Sequence, residues 1–179
     1  GRLYTWDAAV RVAASIDGWH LPSDAEWTTL TTYLGGESVA GGKLKETGTT
    51  HWKRPNTGAT NETGFTALPG GLRISDGTFD DIGYAGLWWS ATEVDASRAW
   101  LRSMNSGSSS VYRNPSIKEV GFSVRLIKDY SHTPNITLVG DNPVTISVGD
   151  TYTDAGATAY DTRYGDITSD IVVVNNVNT

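Results

Sequence analysis

The sequence predicts an α+β domain with two helices and a small antiparallel sheet, followed by a partial all-β sandwich. Three observations predict it. All seven Trp lie before residue 101 and every Lys before residue 129, while the last 46 residues hold six Asp, no Glu and the single Arg163. Two helix-period stripes open the chain and are followed by short runs of strand formers between Gly and Ser turns. Beyond residue 134, apolar residues alternate with polar ones.

The first helix is read from Trp6, Ala9, Val10, Ala13 and Ala14, one apolar stripe, with Thr5 placed to cap it. The second follows in 18-GWHLPSDAEWTTLTTYLGG-36, where Pro22 blocks helix upstream, Ser23 and Glu26 have capping-box spacing, and Gly35 and Gly36 end the helix. Trp27, Leu30 and Leu34 form its expected buried side. The segment 41–71, rich in Gly, Thr and Asn, reads as one long ordered loop anchored by Leu44, Trp52, Phe65 and Leu68. Short strands are expected at 87–91, 99–104, 110–113 and 121–127, with 105-NSGSSS-110 turning a hairpin. Trp88 and Trp89 are adjacent in a strand, so they face opposite sides of the sheet.

The segment 129-DYSHTP-134 reads as the junction. It gives a first domain over 1–129, a linker over 130–134 and a second domain over 135–179. In the tail, Ile136/Leu138, Val144/Ile146/Val148 and Ile171/Val173 alternate between Gly, Pro and Asp turns. Forty-six residues are too few to close a sandwich of about 100, so strands are expected from a continuation of the chain or from another chain. The abrupt ends at Gly1 and Thr179 are those expected of a segment of a longer protein.

The formal net charge is −6, of which residues 134–179 carry −5 by residue count. A net acidic chain without basic clusters gives no electrostatic footprint for nucleic acid or an anionic membrane. No run approaches the roughly 20 apolar residues that span a bilayer, so no membrane insertion is expected. With no cysteine, disulfides, thiolate metal sites and cysteine nucleophiles are excluded.

The series GRLYTWDAA, GWHLPSDAEW, VAGGKLKETGTTHW, PNTGATNETGFTALPGG, GLWWSATE and GFSVRLIKD resembles the Fibrobacter succinogenes major paralogous domain over about residues 1–129. The resemblance implies a C-type-lectin-like fold related to the sulfatase-modifying-factor architecture, in secreted and surface proteins. Relatives commonly carry cysteines at the places held here by Ser15 and Leu126, which the resemblance implies are neighbours. The tail, with its GATA and GDIT segments, is similar to bacterial Ig-like surface repeats. Together these imply an extracellular, secreted or cell-surface multidomain protein.

An enzyme reading finds little to use. His20, His51 and His132 lack metal-ligand spacing, and Glu26, Glu93, Asp95 and Glu119 read as solvated acids rather than a glycosidase pair. Calcium-dependent sugar binding of the animal lectin type needs a carboxylate where Arg54 precedes Pro55 and Asn56. Asp76, Asp80 and Asp81 read as turn residues. In the tail, Asp154, Asp161, Asp166 and Asp170 are candidate oxygen ligands for a structural calcium, the one cofactor considered.

In lectin-fold variable proteins the segment after a WWS strand carries the ligand-facing residues. By that resemblance the candidate binding residues here are Arg98, Arg102, Asn105, Tyr112, Arg113 and Asn114, and Trp88 joins them as one ring of the oppositely facing pair. Guanidinium forks, amides and a phenol suit sugar hydroxyls, carboxylates or a peptide. The expectation is a non-catalytic recognition or adhesion module for a glycan or a peptide or protein ligand, its face built from the 98–114 hairpin and the long loop. The alternative is a structural subunit or spacer of a surface stalk or filament, its sandwich completed by a neighbouring Ig-like repeat or another chain.

Overall fold

The computed structural model describes residues 2–129, 134–161 and 164–173. The chain divides into two units, 1–129 and 130–179. In the first unit the elements are α1 (Trp6–Ala14), β1 (Trp19–His20), α2 (Asp24–Tyr33), α3 (Glu37–Leu44), β2 (Leu72–Arg73), β3 (Phe79–Asp80), β4 (Ala85–Glu93), β5 (Arg98–Asn105), β6 (Tyr112–Ile117) and β7 (Ile127–Lys128). The second unit contains β8 (Asn135–Leu138), β9 (Ala157–Asp161), β10 (Gly165–Asp166) and a 3-10 turn, Thr168–Asp170.

Helix α1 forms on the predicted stripe, with Trp6, Ala9 and Ala13 buried, although the Thr5 side chain makes no cap bond. Helix α2 carries the full capping box: the Ser23 side chain accepts from the Glu26 amide, and the Glu26 carboxylate accepts from the Ser23 amide at 2.8 Å. Helix α3 departs from the sequence reading, which placed the start of a long loop there. Two glycines make its intrinsic helix propensity poor. Tertiary packing overrides this, because Ala40, Gly41, Gly42 and Leu44 are all buried.

Strands β4, β5 and β6 form an antiparallel sheet with β5 in the centre. The sheet is a wall between two cores. On one side Trp89, Ala99 and Leu101 pack with α1, Leu21, Val120 and Phe122. On the other, Trp88 and Met104 pack with Trp27 and Leu34, with Ala40 and Leu44 of α3, and with Trp52 and Val111. A pleated strand sends successive side chains to opposite faces, and here both faces are covered. The second cover is the segment 45–71, whose Trp52 is 1% exposed and donates its indole N–H to the Ala67 carbonyl at 2.9 Å. Phe65 packs against the same core, while Leu68 is an exposed side chain rather than an anchor.

The beginning and end of this unit are joined. Tyr4 bridges Phe122, and β1 pairs with β7 through Trp19↔Lys128 and His20↔Ile127. Only short bridges at 121–123 precede β7, where the sequence reading had one strand over 121–127. At the proposed cysteine positions, the Ser15 hydroxyl bonds back to the Val12 carbonyl, and Leu126 packs against the core that contains Ala13.

In the second unit, β8, β9 and β10 make a small antiparallel sheet with β9 central. The expected strand at 144–148 is irregular: no described strand pairs with it, and Val144, Ile146 and Val148 are exposed. The linker expected at 130–134 lies, apart from Pro134, outside the described residues, as does His132.

Candidate functional site

The β5–β6 hairpin is the candidate site, and its register decides what it can present. Residues paired across antiparallel strands share a face. Ser103 pairs with Tyr112 and Leu101 with Asn114, whereas Trp100 pairs with Pro115 and Arg102 with Arg113. The predicted binding residues therefore divide between two sides of the sheet. Tyr112, Asn114 and Asn105 lie on one side with Ser103, and Arg98, Arg102 and Arg113 lie on the other with Trp88 and Trp100.

On the first side, Tyr112 is 41% exposed and its hydroxyl donates to Ser108 Oγ at 3.1 Å. The Asn114 amide donates to Ser103 Oγ at 3.2 Å and is otherwise open. Asn105 is half-buried, its amide oxygen accepting from the Gly107 backbone N–H at 3.1 Å. A phenol, two amides and two hydroxyls form one polar patch.

The second side corrects the sequence reading. Arg102 is 1% exposed, and its guanidinium donates to Asp24 Oδ1 at 2.6 Å, to the Asp24 carbonyl at 3.1 Å and to Thr28 Oγ1 at 2.9 Å. It is a structural tie between β5 and the first turn of α2, and it leaves the candidate face. Trp88, 5% exposed, is core for the same geometric reason: its side of β4 lies under the 45–71 segment. Arg113 grips Asp24 from the other side, its Nε 3.0 Å from both carboxylate oxygens, and its guanidinium stacks 3.3 Å from the centre of the Trp100 ring. Burial of the Asp24 carboxyl works against its charge, but hydrogen bonds from Arg113 and Arg102 outweigh this and hold it below the usual carboxylate range. Arg98 is exposed and bound to Asp95 Oδ2 at 2.8 Å.

The hairpin is held rigidly from below. The Lys45 ammonium, fully buried, donates to the carbonyls of Thr57, Asn105 and Ser108 at 2.9, 3.0 and 2.8 Å. Val111 donates its amide to the Glu37 carbonyl at 2.8 Å, and Ser109 donates its hydroxyl to Ser38. Side chains carried on strands fixed this way lose little freedom on binding. Lys45, Trp100 and Asp24 were not among the candidate site residues read from sequence; a lysine just past the end of a Gly-rich helix, two residues after Lys43, offers no pattern that marks it as buried.

Of the four acids weighed for catalysis, Glu119 is exposed and the other three are engaged in local pairs. Glu93 pairs with Lys118 at 2.9 Å, Asp95 with Arg98, and Glu26 with Ser23 and His20. Asp76 makes the expected turn, accepting from the Thr78 amide at 2.9 Å. The four acids of the tail's calcium reading lie in turns. Asp154 accepts from Gly156 N, Asp161 from Tyr164 N and Asp166 from Thr168 N, each closing its own turn, and Asp170 ends the 3-10 turn. Among the described residues no three acidic, imidazole or thiol groups converge as a metal site requires.

Residues 1–128 match the family model of the Fibrobacter succinogenes major domain. The chain belongs to the Fibrobacter succinogenes major domain family. In this family member the domain is followed, over residues 136–179, by a match to the Ig-like domain of bacterial surface proteins, which points to a cell-surface or extracellular location. Neither the curated proteins nor the solved structures contain a match to the chain. No helix among the described residues is long and apolar enough to cross a membrane.

Proposed function

We propose that this Fibrobacter succinogenes major domain is a C-type-lectin-like, non-catalytic recognition module of a bacterial surface protein, and that it binds a glycan or a peptide through the polar side of the β5–β6 hairpin. The lectin-like reading is supported by the pairing of Tyr4 with Phe122 and of β1 with β7, which closes the first and last segments of the unit around the long 45–71 excursion. The observation that carries the binding reading is the patch of Tyr112 and Asn114 on the exposed edge strand β6 with Ser103 beside them on β5, in a hairpin whose turn is pinned through Lys45. A flat array of phenol, amide and hydroxyl groups suits sugar hydroxyls or a peptide backbone. Pro115 interrupts the donors of the β6 edge, which disfavours pairing with a further strand and favours side-chain recognition.

Glycan-array and peptide-array binding by the wild-type chain, repeated with Tyr112→Ala and Asn114→Ala, tests this. Loss of a bound ligand in both variants is the expected result. Binding indifferent to both substitutions rejects the patch.

A second reading, the structural spacer, has its own observation. Among the described residues of the tail, Ile136, Leu138, Val144, Ile146 and Val172 are all exposed, an apolar surface that supports completion of the β8–β9–β10 sheet by a second layer. A neighbouring Ig-like repeat or another chain would supply it. Sedimentation of the chain alone and of a chain extended by the following repeat distinguishes self-association from completion within one polypeptide.

A further inference from the structure

The first unit holds a cleft of about 600 Å³ that shares no residue with the hairpin patch. Its size is that of a small-molecule site. Its apolar wall is made by Leu68, Phe79 and Ile82, which are 43%, 72% and 75% exposed. Large apolar side chains left in water and gathered around one concavity mark a contact surface rather than core. The ionisable side chains that line the cleft are Arg2, His51 and Lys53, with no carboxylate among the lining residues, in a chain of net charge −6. The basic side is therefore a local departure from the charge of the whole.

The two permanent cations, Arg2 and Lys53, are available. His51 is paired with Glu46 at 2.9 Å, but among the described residues neither Arg2 nor Lys53 has a carboxylate partner. Lys53 is instead steadied over the Tyr84 ring, its ammonium 4.6 Å from the centroid. The walls are fixed by backbone bonds, Lys53 N to Gly83 O at 2.8 Å and Gly83 N to Pro69 O at 2.9 Å. Cation and apolar wall are thus held next to each other before any ligand arrives.

We propose that this cleft is a second binding site, for a small amphipathic anion: an aryl or alkyl body seated against Phe79, Ile82 and Leu68, with its carboxylate turned toward Lys53 and Arg2. An uncharged apolar ligand would leave the cations without a use, and a purely ionic one would leave the apolar wall in water.

Calorimetric titration of the whole chain with 3-phenylpropionate, and with the neutral 3-phenylpropionamide, tests the proposal. The carboxylate should bind about fivefold more tightly than the amide, from one or two half-exposed charge contacts. That preference should shrink as salt is raised. Lys53→Gln should reduce the preference, Arg2 keeping a part of it, while leaving amide binding in place, and Phe79→Ala should weaken both ligands. Both side chains are exposed, so the variants keep the fold, which urea denaturation verifies. Tyr112→Ala should leave both ligands unaffected, so failure here and failure of the hairpin reading are separable. Absence of saturable binding, equal affinity for acid and amide, or indifference to both substitutions overturns it.

Discussion

Trp88 and Trp89 are consecutive in the chain and lie in different cores, one on each side of β4. Trp89 is 0% exposed, its ring 4.6 Å from Phe122 by centroid, and its indole N–H donates to the Tyr4 carbonyl at 2.9 Å. Trp88 meets Phe65 edge-on at 6.2 Å in the opposite core. Neither ring is a ligand platform, so each alanine substitution should cost about 3–5 kcal/mol in stability, as for other buried large aromatics. Equilibrium urea denaturation measures it; a Trp88→Ala chain as stable as wild type would place that ring outside the core.

Arg102 and Arg113 share Asp24 but differ in burial, and the difference sets separate expectations. Arg102→Ala removes the buried partner of Asp24 and leaves Arg113 as its remaining one, so it should cost about 1.5–3 kcal/mol, the usual worth of hydrogen bonds to a charged group. Arg113 is 37% exposed in its side chain, so Arg113→Ala should cost no more than about 1 kcal/mol. Midpoints of urea unfolding for the two single variants decide it. Equal losses would mean that the Asp24 pairing is no stronger on its buried side.

The contrast also shows what the sequence could reveal. The α1 stripe, the Ser23–Glu26 capping box and the opposite facing of Trp88 and Trp89 follow from spacing alone, and the structure has all three. The fate of the arginines does not follow from spacing. Arg102 and Arg113 are paired in register on one face, and both meet Asp24, 78 and 89 residues away in sequence. A contact of that range leaves no local pattern. The cleft was illegible for a related reason: Lys53 and Leu68 of the long segment are far in sequence from Phe79 of β3 and Ile82 just after it, and only the folded backbone brings them around one space.

His20 lies between two carboxylates, its Nε2 2.8 Å from Glu26 and its Nδ1 bonded to Asp129. The Asp129 hydrogen bond raises the pKa of His20, burial opposes it and Glu26 adds to it, the net being upward. A histidine whose folded value lies above its unfolded value of about 6.5 adds stability that is fully present below that pH. The contribution is lost as pH rises through the folded value. Glu26 is held below its ordinary range and stays ionised at pH 5.5. Wild type should therefore exceed His20→Asn in stability by more at pH 5.5 than at pH 8.5. A difference that is flat with pH, measured by urea denaturation at both, would remove the ion pairs from the account.

Lys45 combines full burial with three carbonyl acceptors and no carboxylate partner among the ion pairs of the described residues. Lys45→Met would leave the carbonyls of Thr57, Asn105 and Ser108 without their donor, at roughly 1–3 kcal/mol for a buried unsatisfied group. Burial pushes the ammonium down to about 8, so above that pH the unfolded chain binds the proton more than the folded one. Stability relative to Lys45→Met should then rise between about pH 8 and 10, the sign that linkage requires. Hydrogen exchange at 105–108 should quicken in the variant, since those amides lie in the loop that Lys45 holds.

The last expectation concerns the two glycines of α3, the feature that most misled the sequence reading. A Cβ on Gly41 would sit 2.3 Å from the Ser110 carbonyl oxygen, and one on Gly42 would sit 2.3 Å from that of Gly58. Both obstacles are backbone, which cannot swing aside as a side chain does. On an exposed helix Gly→Ala stabilises by about 1 kcal/mol; here the sign reverses, because the helix must approach the hairpin loop closely enough for Gly42 N to reach Ser109 O at 2.9 Å. Gly41→Ala and Gly42→Ala should each destabilise by about 1–3 kcal/mol, the range for overpacking. Because the displaced backbone is that of 109–110, next to Tyr112, Gly41→Ala should also weaken any ligand of the hairpin patch, whereas the anion cleft should be untouched. A stabilised Gly41→Ala chain would mean that α3 does not press against the hairpin and does not hold the recognition strand rigid.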